Sequence, residues 1–347
     1  MTDRPAPRTL SVPGEFPDLP AALAAAQPGD TVLLTAPAVV RETIRFPDGV
    51  TIEALAGAML RGPAGCPVLV IEDAVDARIS GLHLIHERGD GDAPLCEIRR
   101  AAVELRRCTF SAARGHGLLA TEGAQLRLKH CAFSASSGDG VHLDGPAVHA
   151  EVLDCSACDN SGHGLRAVGG ADAYMERFTA RENGWGISAA GEATRVTCRM
   201  GVIESNRGTG LFSHLGAMLR IEGCSITANA GDGVSGSGSG TSIIARRNIV
   251  ACNSGAGFLI SGGPAVILDG NTCGDNHGAG ISLSGPGTTV EIFANECVEN
   301  GRGIITAGDV TGLMEDNVCE RNSTDDFAVT APALRLLRNR GAPPKTP

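Results

Sequence analysis

The chain has 347 residues, of which 42% are hydrophobic and 20% are charged, and its formal net charge is -10. This apolar content excludes a disordered chain, and an acidic chain without a Lys/Arg-rich run is poorly suited to nucleic acid or anionic membranes. We therefore expect no nucleic-acid partner and no membrane partner. The 47 glycines follow no Gly-X-Y period, which excludes collagen and indicates many tight turns.

The N-terminal segment predicts a short helix and carries no targeting pattern. It lacks a basic-then-apolar signal sequence, and no apolar run of about 18 residues occurs anywhere in the chain. We therefore expect a cytoplasmic protein, whose 12 cysteines are mostly free thiols. Residues 1–9 are predicted to be disordered. The segment from Asp18 to Ala26, which Pro28-Gly29-Asp30 ends, predicts an amphipathic helix that caps the fold.

Short strands follow the helix, and from residue 115 they form a regular repeat. Apolar strings at 31–34, 50–52, 68–71 and 78–82 predict β-strands. Gly-x-Gly then recurs, with its first glycine at positions 115, 138, 162, 184, 208, 231, 255, 278 and 301. The steps are 22–24 residues long, and no repeat contains a helical stretch. Such a unit of strands and turns is typical of one coil of a parallel β-helix.

Two further columns keep the same register. One is an asparagine at positions 160, 183, 206, 229, 253, 276, 300 and 322. Five residues earlier, a second column is mostly cysteine in the early coils and asparagine in the late ones, at Cys108, Cys131, Cys155, Cys224, Asn248, Asn271, Asn295 and Asn317. Coils stacked about 4.8 Å apart would align each column as a buried ladder. The column cysteines, and Cys273, Cys297 and Cys319 beside the asparagine column, are therefore expected to be reduced and buried.

These patterns predict an all-β fold, a single parallel β-helix of about 12–13 coils from roughly residue 30 to 330. The β-helix domain is predicted to cover residues 10–335, and residues 336–347 are predicted to form a C-terminal tail.

The arrangement resembles a known family. Leu19-Pro20-Ala21-Ala22, Pro28-Gly29-Asp30-Thr31-Val32 and the Asn-x-x-Gly-x-Gly-[Ile/Leu/Val] coils are similar to right-handed β-helix repeats of the pectin-lyase-like superfamily. The resemblance covers roughly residues 10–335 and implies a right-handed coil. Its members include polysaccharide lyases, sugar hydrolases, alginate epimerases and β-helix F-box proteins, so it predicts the fold far more narrowly than the function.

Candidate functional residues crowd five successive coils. In the superfamily, the residue between the two glycines lies at a corner that faces the substrate groove. The candidate catalytic residues at this corner and on the strand after it are His116, Asp139, His142, Asp144 and His163. The candidate substrate-binding residues are Arg166, Trp185, Phe212 and His214. Later coils show mostly alanine and serine here, and it is this clustering that favours a site over an ordinary polar face.

The chemistry of these residue types suits acid/base catalysis. Asp139 and His163 are 24 residues apart, so they are expected one coil apart at the same corner, where a carboxylate can orient a basic imidazole. Arg166 could hold a substrate carboxylate, and Trp185 could stack on a sugar ring. Gly-His-Gly, centred on His116 and His163, resembles a polygalacturonase motif, but that family's Asn-Thr-Asp-Gly and Arg-Ile-Lys segments are missing. The Asp-Pro-His-Asp motif of alginate epimerases is also absent.

Two functions therefore stay open. The first is a cofactor-free acid/base enzyme of the lyase, epimerase or hydrolase type, which acts on a polyhydroxylated or uronate-like substrate and needs no metal. The second is a non-catalytic β-helix module that binds a protein or peptide along one face. The single Trp and single Tyr argue against a long glycan groove, whereas the His/Asp cluster argues for chemistry on a small molecule or saccharide.

Overall fold

The computed structural model describes residues 6–341, and the chain is an all-β parallel β-solenoid of about 14 turns with one short helix. The predicted fold class is confirmed. The turns slightly outnumber the predicted 12–13 because regular strands begin at Thr9, well before residue 30. The chain divides into two compact units, residues 1–162 and 163–347.

The first unit contains helix α1 and strands β1 to β18. Their bounds are β1 Thr9–Val12, α1 Leu19–Ala25, β2 Thr31–Leu34, β3 Ala38–Val39, β4 Ile44–Arg45, β5 Thr51–Ala54, β6 Met59–Gly62, β7 Leu69–Glu72, β8 Ala77–Ser80, β9 His83–His86, β10 Cys96–Arg99, β11 Ala102–Arg106, β12 Thr109–Ser111, β13 Leu118–Thr121, β14 Gln125–Lys129, β15 Ala132–Ser134, β16 Val141–Asp144, β17 His149–Leu153 and β18 Ser156–Cys158. They form three parallel sheets: A (β1, β2, β5, β8, β11, β14, β17), B (β3, β6, β9, β12, β15, β18) and C (β4, β7, β10, β13, β16).

The second unit repeats the pattern with strands β19 to β41. Their bounds are β19 His163–Val168, β20 Asp172–Glu176, β21 Thr179–Arg181, β22 Trp185–Ala190, β23 Arg195–Arg199, β24 Val202–Glu204, β25 Leu211–His214, β26 Met218–Glu222, β27 Ser225–Thr227, β28 Val234–Ser237, β29 Ser242–Arg246, β30 Ile249–Ala251, β31 Phe258–Ser261, β32 Ala265–Asp269, β33 Thr272–Gly274, β34 Ala279–Ser284, β35 Thr289–Phe293, β36 Glu296–Val298, β37 Arg302–Ala307, β38 Thr311–Glu315, β39 Val318–Glu320, β40 Phe327–Val329 and β41 Leu334–Leu337. Sheet C begins with β19, sheet A with β20 and sheet B with β21, and each continues with every third strand.

The predicted N-terminal helix is present as α1. The side chain of Asp18 caps it by accepting a hydrogen bond from the backbone N–H of Ala21 at 2.9 Å. Leu19, Ala22 and Leu23 are buried, and α1 contacts β1 and β2. No helix within residues 6–341 is long and apolar enough to cross a membrane.

The ends of the folded region lie near the predicted boundaries. Strand β1 begins at Thr9, one residue before the predicted start at residue 10, and the guanidinium of Arg8 already binds Asp30 at 2.6 Å. Strand β41 ends at Leu337, two residues after the predicted end at residue 335. Residues 1–5 of the predicted disordered N-terminus and 342–347 of the predicted tail lie outside the described residues.

Buried asparagines form ladders inside the second unit, as the column spacing predicts. The side-chain oxygen of Asn253 accepts hydrogen bonds from both the backbone N–H and the side-chain Nδ2 of Asn229, each at 3.0 Å. Nδ2 of Asn253 donates in turn to the carbonyl of Ile226 and to Asn276 Oδ1. A parallel ladder runs through Asn248, Asn271, Asn295, Asn317 and Asn339. Each amide thus satisfies polar groups of neighbouring coils that water cannot reach.

These ladders fix turns that the backbone alone disfavours. The residue before each ladder asparagine has a positive φ, as at Ala228, Cys252 and Asp275, where φ is 55°, 57° and 54°. A non-glycine residue in this left-handed region costs roughly 1–2 kcal/mol. The hydrogen bonds made by the side-chain amide of the following asparagine offset this cost, which explains why asparagine occupies that position coil after coil.

The predicted thiol ladders are buried and reduced. All twelve cysteines are free, and nine of them are buried, including Cys108, Cys131 and Cys155 in the first unit and Cys273, Cys297 and Cys319 in the second. In the first unit the thiols of Cys108, Cys131 and Cys155 take the place of ladder amides and make weaker contacts; Cys131 Sγ, for example, donates to the carbonyl of Leu105 at 3.5 Å. Burial also raises the pKa of the Cys96 thiol, which makes it a poor nucleophile.

Truncation of one ladder amide should destabilise the protein measurably. Asn253→Ala removes the acceptor of two Asn229 donors and leaves them buried without it, at about 1–3 kcal/mol for each unsatisfied group. We expect a clearly lower midpoint of chemical unfolding, measured by circular dichroism. Ser254→Ala, an exposed neighbour, is the control and should unfold within about 0.5 kcal/mol of the parent. Equal stability of the two variants would show that the ladder contributes nothing.

Thiol labelling should separate the cysteines by burial. In the native protein a maleimide should react first with exposed Cys252, then slowly with half-buried Cys66 and Cys158, while the other nine react only after denaturation. Cys252→Ser should remove the fast phase, as read by mass spectrometry. Rapid native labelling of the buried nine would contradict the ladder arrangement.

Candidate functional site

Two candidate residues of the first unit lie at the corner where each coil turns into sheet C, and the other two, His142 and Asp144, lie on the strand that follows, β16. The flanking glycines are required there by close approach of the backbone: a Cβ on Gly117 would lie 2.6 Å from the carbonyl oxygen of Gly140. A Cβ on Gly115 would lie 1.9 Å from the carbonyl oxygen of Asp92. The middle position is therefore the one place at this corner where a side chain fits, and it holds His116 in one coil and Asp139 in the next.

His116, Asp139 and His142 form one group, which we call the histidine–aspartate cluster. Nδ1 of His142 lies 2.7 Å from Oδ2 of Asp139, and Nδ1 of His116 lies 3.4 Å from the same oxygen. The two imidazole rings are tilted by 39°, with their centroids 4.5 Å apart. One nitrogen or oxygen atom from each of the three residues lies within 4.8 Å of the other two.

In their neutral forms, the two histidines take opposite tautomers, because their Nδ1 atoms face different hydrogen-bond partners. The carboxylate of Asp139 can only accept, so Nδ1 of His142 donates to it and Nε2 of His142 carries the lone pair. The backbone N–H of Asp139 donates to Nδ1 of His116 at 3.0 Å, so His116 carries its proton on Nε2. The 3.4 Å approach of His116 Nδ1 to Asp139 Oδ2 is therefore a close contact and not a second hydrogen bond. One ring offers a base and the other an acid.

Burial in the cluster is graded. The side chain of Asp139 is 4% exposed, whereas those of His142 and His116 are 13% and 30% exposed. The carboxylate of Asp139 is buried although it lies at the corner, and it bonds His142. The catalytic role of Asp139 stays a prediction. The two histidines are the members of the cluster that a ligand can reach.

Asp144, the remaining candidate of this unit, lies at the end of β16 and is exposed. Like His142, two residues earlier, it lies on the outer face of the strand, and its register partner on β13 is Thr121. Asp144 is not a member of the histidine–aspartate cluster, so the structure does not bring all the predicted catalytic side chains together.

A second Gly-Asp-Gly corner, in the other unit, shows what such an aspartate does without a histidine. Oδ1 of Asp232 accepts the backbone N–H of Ala256, the corner residue of the next coil, at 2.8 Å. Ser235 stands three residues later, where His142 follows Asp139. Burial raises the pKa of the Asp232 carboxyl. A corner side chain can thus cap the backbone of the next coil, and His116 does so as well. The corner of the first unit differs in having His142, which adds an imidazole bonded to the aspartate.

The candidates of the second unit share one face of sheet C, which we call the cationic aromatic face: His163, Arg166, Trp185, Phe212 and His214. His163 and Trp185 are register partners whose rings stack at 5.2 Å, and Phe212 and His214 stack at 4.5 Å. Ser188, partner of both Arg166 and Phe212, lies between them in one row. Trp185 is 46% exposed and offers a ring to solvent.

Arg166 is the polar centre of this face. Its Nε is buried and has no hydrogen-bond partner within the part of the chain that the structure describes. The pKa of His214 is lowered by burial first, and then by the positive charges of Arg166 and His163. A half-buried guanidinium beside two histidines is an environment that favours an anionic group.

The predicted pairing of Asp139 with His163 joins residues of different units and stays a prediction. The hydrogen bond between Asp139 and His142 is not predicted from the sequence, although the spacing of three residues across a turn into a strand is a usable signal. The tautomers of His116 and His142 are not predicted either, since they depend on the backbone N–H and the carboxylate of Asp139.

Comparisons with known proteins agree with this architecture. The family model described as "Right handed beta helix region" matches residues 96–250 and 219–333. No curated protein sequence matches the chain. Among solved structures, the A-module of Azotobacter vinelandii mannuronan C-5 epimerase AlgE6 is similar, with a TM-score of 0.63 and 15% identity over 97% of this chain and 100% of that one.

Two further solved structures are similar. The A-module of Azotobacter vinelandii mannuronan C-5 epimerase AlgE4 has a TM-score of 0.63 and 14% identity over 91% of this chain and 93% of that one. Tailspike protein 3 of bacteriophage CBA120 has a TM-score of 0.58 and 11% identity over 97% of this chain and 62% of that one. At these identities the likeness is one of fold.

Removal of the Arg166 charge should raise the pKa of His214. In Arg166→Gln, one of the two positive charges that disfavour protonation of His214 is gone, so its pKa should move up toward the ordinary value while burial still holds it below. Titration of the His214 ring protons by NMR measures this. Arg220→Gln, an exposed arginine on sheet A, is the control and should leave the titration unchanged. An unchanged pKa in Arg166→Gln would mean that the two side chains do not interact.

Proposed function

Because the chain belongs to the right-handed β-helix family, we propose that it is an acid/base enzyme of the lyase or epimerase type acting on a uronate-like saccharide. His142 is the general base and His116 the general acid, and Asp139 is a positioning residue. The observation that carries the proposal is the pair of complementary tautomers, one held by the carboxylate and the other by the backbone N–H of Asp139, with the two rings 4.5 Å apart.

His142 suits proton abstraction because its tautomer is fixed before a substrate arrives. Asp139 accepts the Nδ1 proton, so the free lone pair is on Nε2, and the buried carboxylate stabilises the imidazolium that forms. Asp139 itself is too buried to meet a substrate.

The reaction can be written with these two groups. His142 Nε2 takes the proton from the carbon next to a substrate carboxylate, and the C–H electrons pass into the carboxylate as an enediolate. In elimination, those electrons form a C=C bond, the glycosidic C–O bond breaks, and His116 Nε2–H protonates the leaving oxygen. In epimerisation, a proton must return to the carbon from the opposite side, so its donor has to lie across the substrate from the cluster, whose two rings are only 4.5 Å apart. Both outcomes need the base that His142 supplies, and elimination also uses His116 as the acid.

Hydrolysis is the less favoured member of the same group. Glycoside hydrolysis usually needs two carboxyl groups that flank the scissile bond. The cluster contains one, which is buried and bonded to His142, and the exposed Asp144 is not part of it.

The cationic aromatic face of the second unit, taken by itself, also suits an acidic saccharide. The Nε of Arg166, which has no hydrogen-bond partner among the described residues, is proposed to bind a carboxylate, and the exposed ring of Trp185 to stack on a sugar. The names of the two mannuronan epimerase modules make uronate polymers the first substrates to test.

Replacement of the base should abolish the reaction without affecting the fold. Polymannuronate, polyguluronate and polygalacturonate are offered to the parent and to His142→Gln. Ultraviolet absorbance reports unsaturated ends, and deuterium uptake from D₂O reports epimerisation. Loss of a general base costs about 10²–10⁴ in rate, so we expect His142→Gln to lose at least that much kcat with an unchanged melting temperature.

Two controls make the result specific. His130→Asn removes an exposed histidine of the same unit, at a left-handed position that asparagine tolerates, and should keep full activity. A neutral glucan oligosaccharide should not react, since it lacks the carboxylate that acidifies the C–H bond. Full activity in His142→Gln, or no activity of the parent on any uronate, would reject the proposal in favour of a non-catalytic module that binds a protein partner.

A further inference from the structure

We propose that the histidine–aspartate cluster is also a binding site for one divalent transition-metal ion of the zinc class, and that the bound ion silences the acid/base site. The binding part stands on the geometry of the cluster alone. The silencing part rests on the function proposed above.

The donor set selects the class of metal. Two imidazoles and one carboxylate are ligands that Zn²⁺, Co²⁺ and Ni²⁺ prefer, whereas Ca²⁺ and Mg²⁺ require mostly oxygen donors. Three protein ligands with a fourth position open to solvent is a common zinc arrangement. His116 and His142 are partly exposed, so an ion can reach the open side of the cluster.

The distances are close to those of a metal site. Zinc bonds of about 2.0–2.2 Å place two ligand atoms of a tetrahedron roughly 3.4 Å apart. His116 Nδ1 and Asp139 Oδ2 are already 3.4 Å apart, and one donor atom from each residue lies within 4.8 Å of the other two. Closing the site requires the two rings to rotate around the fixed carboxylate, and Nδ1 of His116 to exchange the backbone N–H of Asp139 for the ion.

Metal binding removes the base whichever nitrogen of His142 it uses. If Nε2 binds the ion, its lone pair is consumed. If Nδ1 binds, the proton that Nδ1 donates to Asp139 moves to Nε2, so the ring presents a proton where the base is needed. In both cases the neutral ring keeps its one proton, and no substrate takes part in the step.

Thiols are the main competing ligands and are removed from the experiment first. Cys252 is exposed, and Cys66 and Cys158 are half-buried. The folded protein is treated with iodoacetamide to block accessible thiols and is then freed of metal by dialysis against a chelator.

The test is direct metal binding without any saccharide. Co²⁺ is titrated into the alkylated protein, and its visible absorption is followed; Zn²⁺ then displaces it. We expect one equivalent of Co²⁺ with a nitrogen/oxygen spectrum lacking sulfur charge-transfer bands, and an affinity at least about tenfold weaker in His116→Gln and in His142→Gln. His130→Asn is the control and should bind as the parent does.

The outcomes separate the two proposals. Absence of a saturable site in the parent, or equal affinity in both cluster variants and the parent, would overturn the metal site. Should the cluster variants unfold, protection of His116 and His142 from diethylpyrocarbonate by Zn²⁺ in the parent decides the question instead. Once a uronate is turned over, Zn²⁺ at saturation should abolish the rate, and an unchanged rate would overturn the silencing. Binding without turnover of any uronate would leave the metal site established and reject the proposed enzyme.

Discussion

The parallel register between successive coils is the constraint on which the rest of the structure depends. Within each unit, strand residues from Cys96 onward pair with residues 22–24 positions later, so side chains on these strands have register partners in the next coil at about the 4.8 Å spacing of paired strands. Like residues therefore stack on like: Asn229 on Asn253, and Phe110 on Phe133 with their rings 4.8 Å apart. Interior columns must repeat compatible chemistry, whereas a corner tolerates a change of residue type from coil to coil. The histidine–aspartate cluster uses that freedom.

The same register explains which parts of the structure the sequence predicts. A column of asparagine at a constant step has few interpretations, because a buried amide needs hydrogen-bond partners in the neighbouring coils. The β-helix and its interior ladders follow from this spacing, and the capping helix follows from the amphipathic pattern before Pro28. The bonds at the corner do not follow, because spacing says which residues are neighbours and not which way a side chain turns. Spacing places Asp139 at the corner, for example, but it does not show that its carboxylate bonds the imidazole of His142, three residues later on the outer face of β16.

The corner residues have two roles that are difficult to separate. His116 accepts the backbone N–H of the next coil, and in the other unit Asp232 does the same without any histidine beside it. A side chain that caps a neighbouring backbone group is held rigidly, which is the pre-organisation that a catalytic or metal-binding group needs. The same rigidity complicates mutagenesis, because replacement of His116 or Asp139 affects the backbone conformation of the corner as well as the chemistry. His142 makes its one hydrogen bond to a side chain and is therefore the residue whose removal isolates the chemistry.

The ladder asparagines also determine how the protein would respond to force. Within the second unit, each amide connects its coil to the next coil and to the carbonyl of the coil before it, as Asn253 does with Asn276 and Ile226. Tension applied to the chain end would break these hydrogen bonds one coil at a time, from that end inward, and would not break all of them together. Each coil of 22–24 residues would then release roughly 75–85 Å of extended chain in a single step. A solenoid of near-identical coils would therefore lengthen under force in near-equal steps, each of which corresponds to one coil.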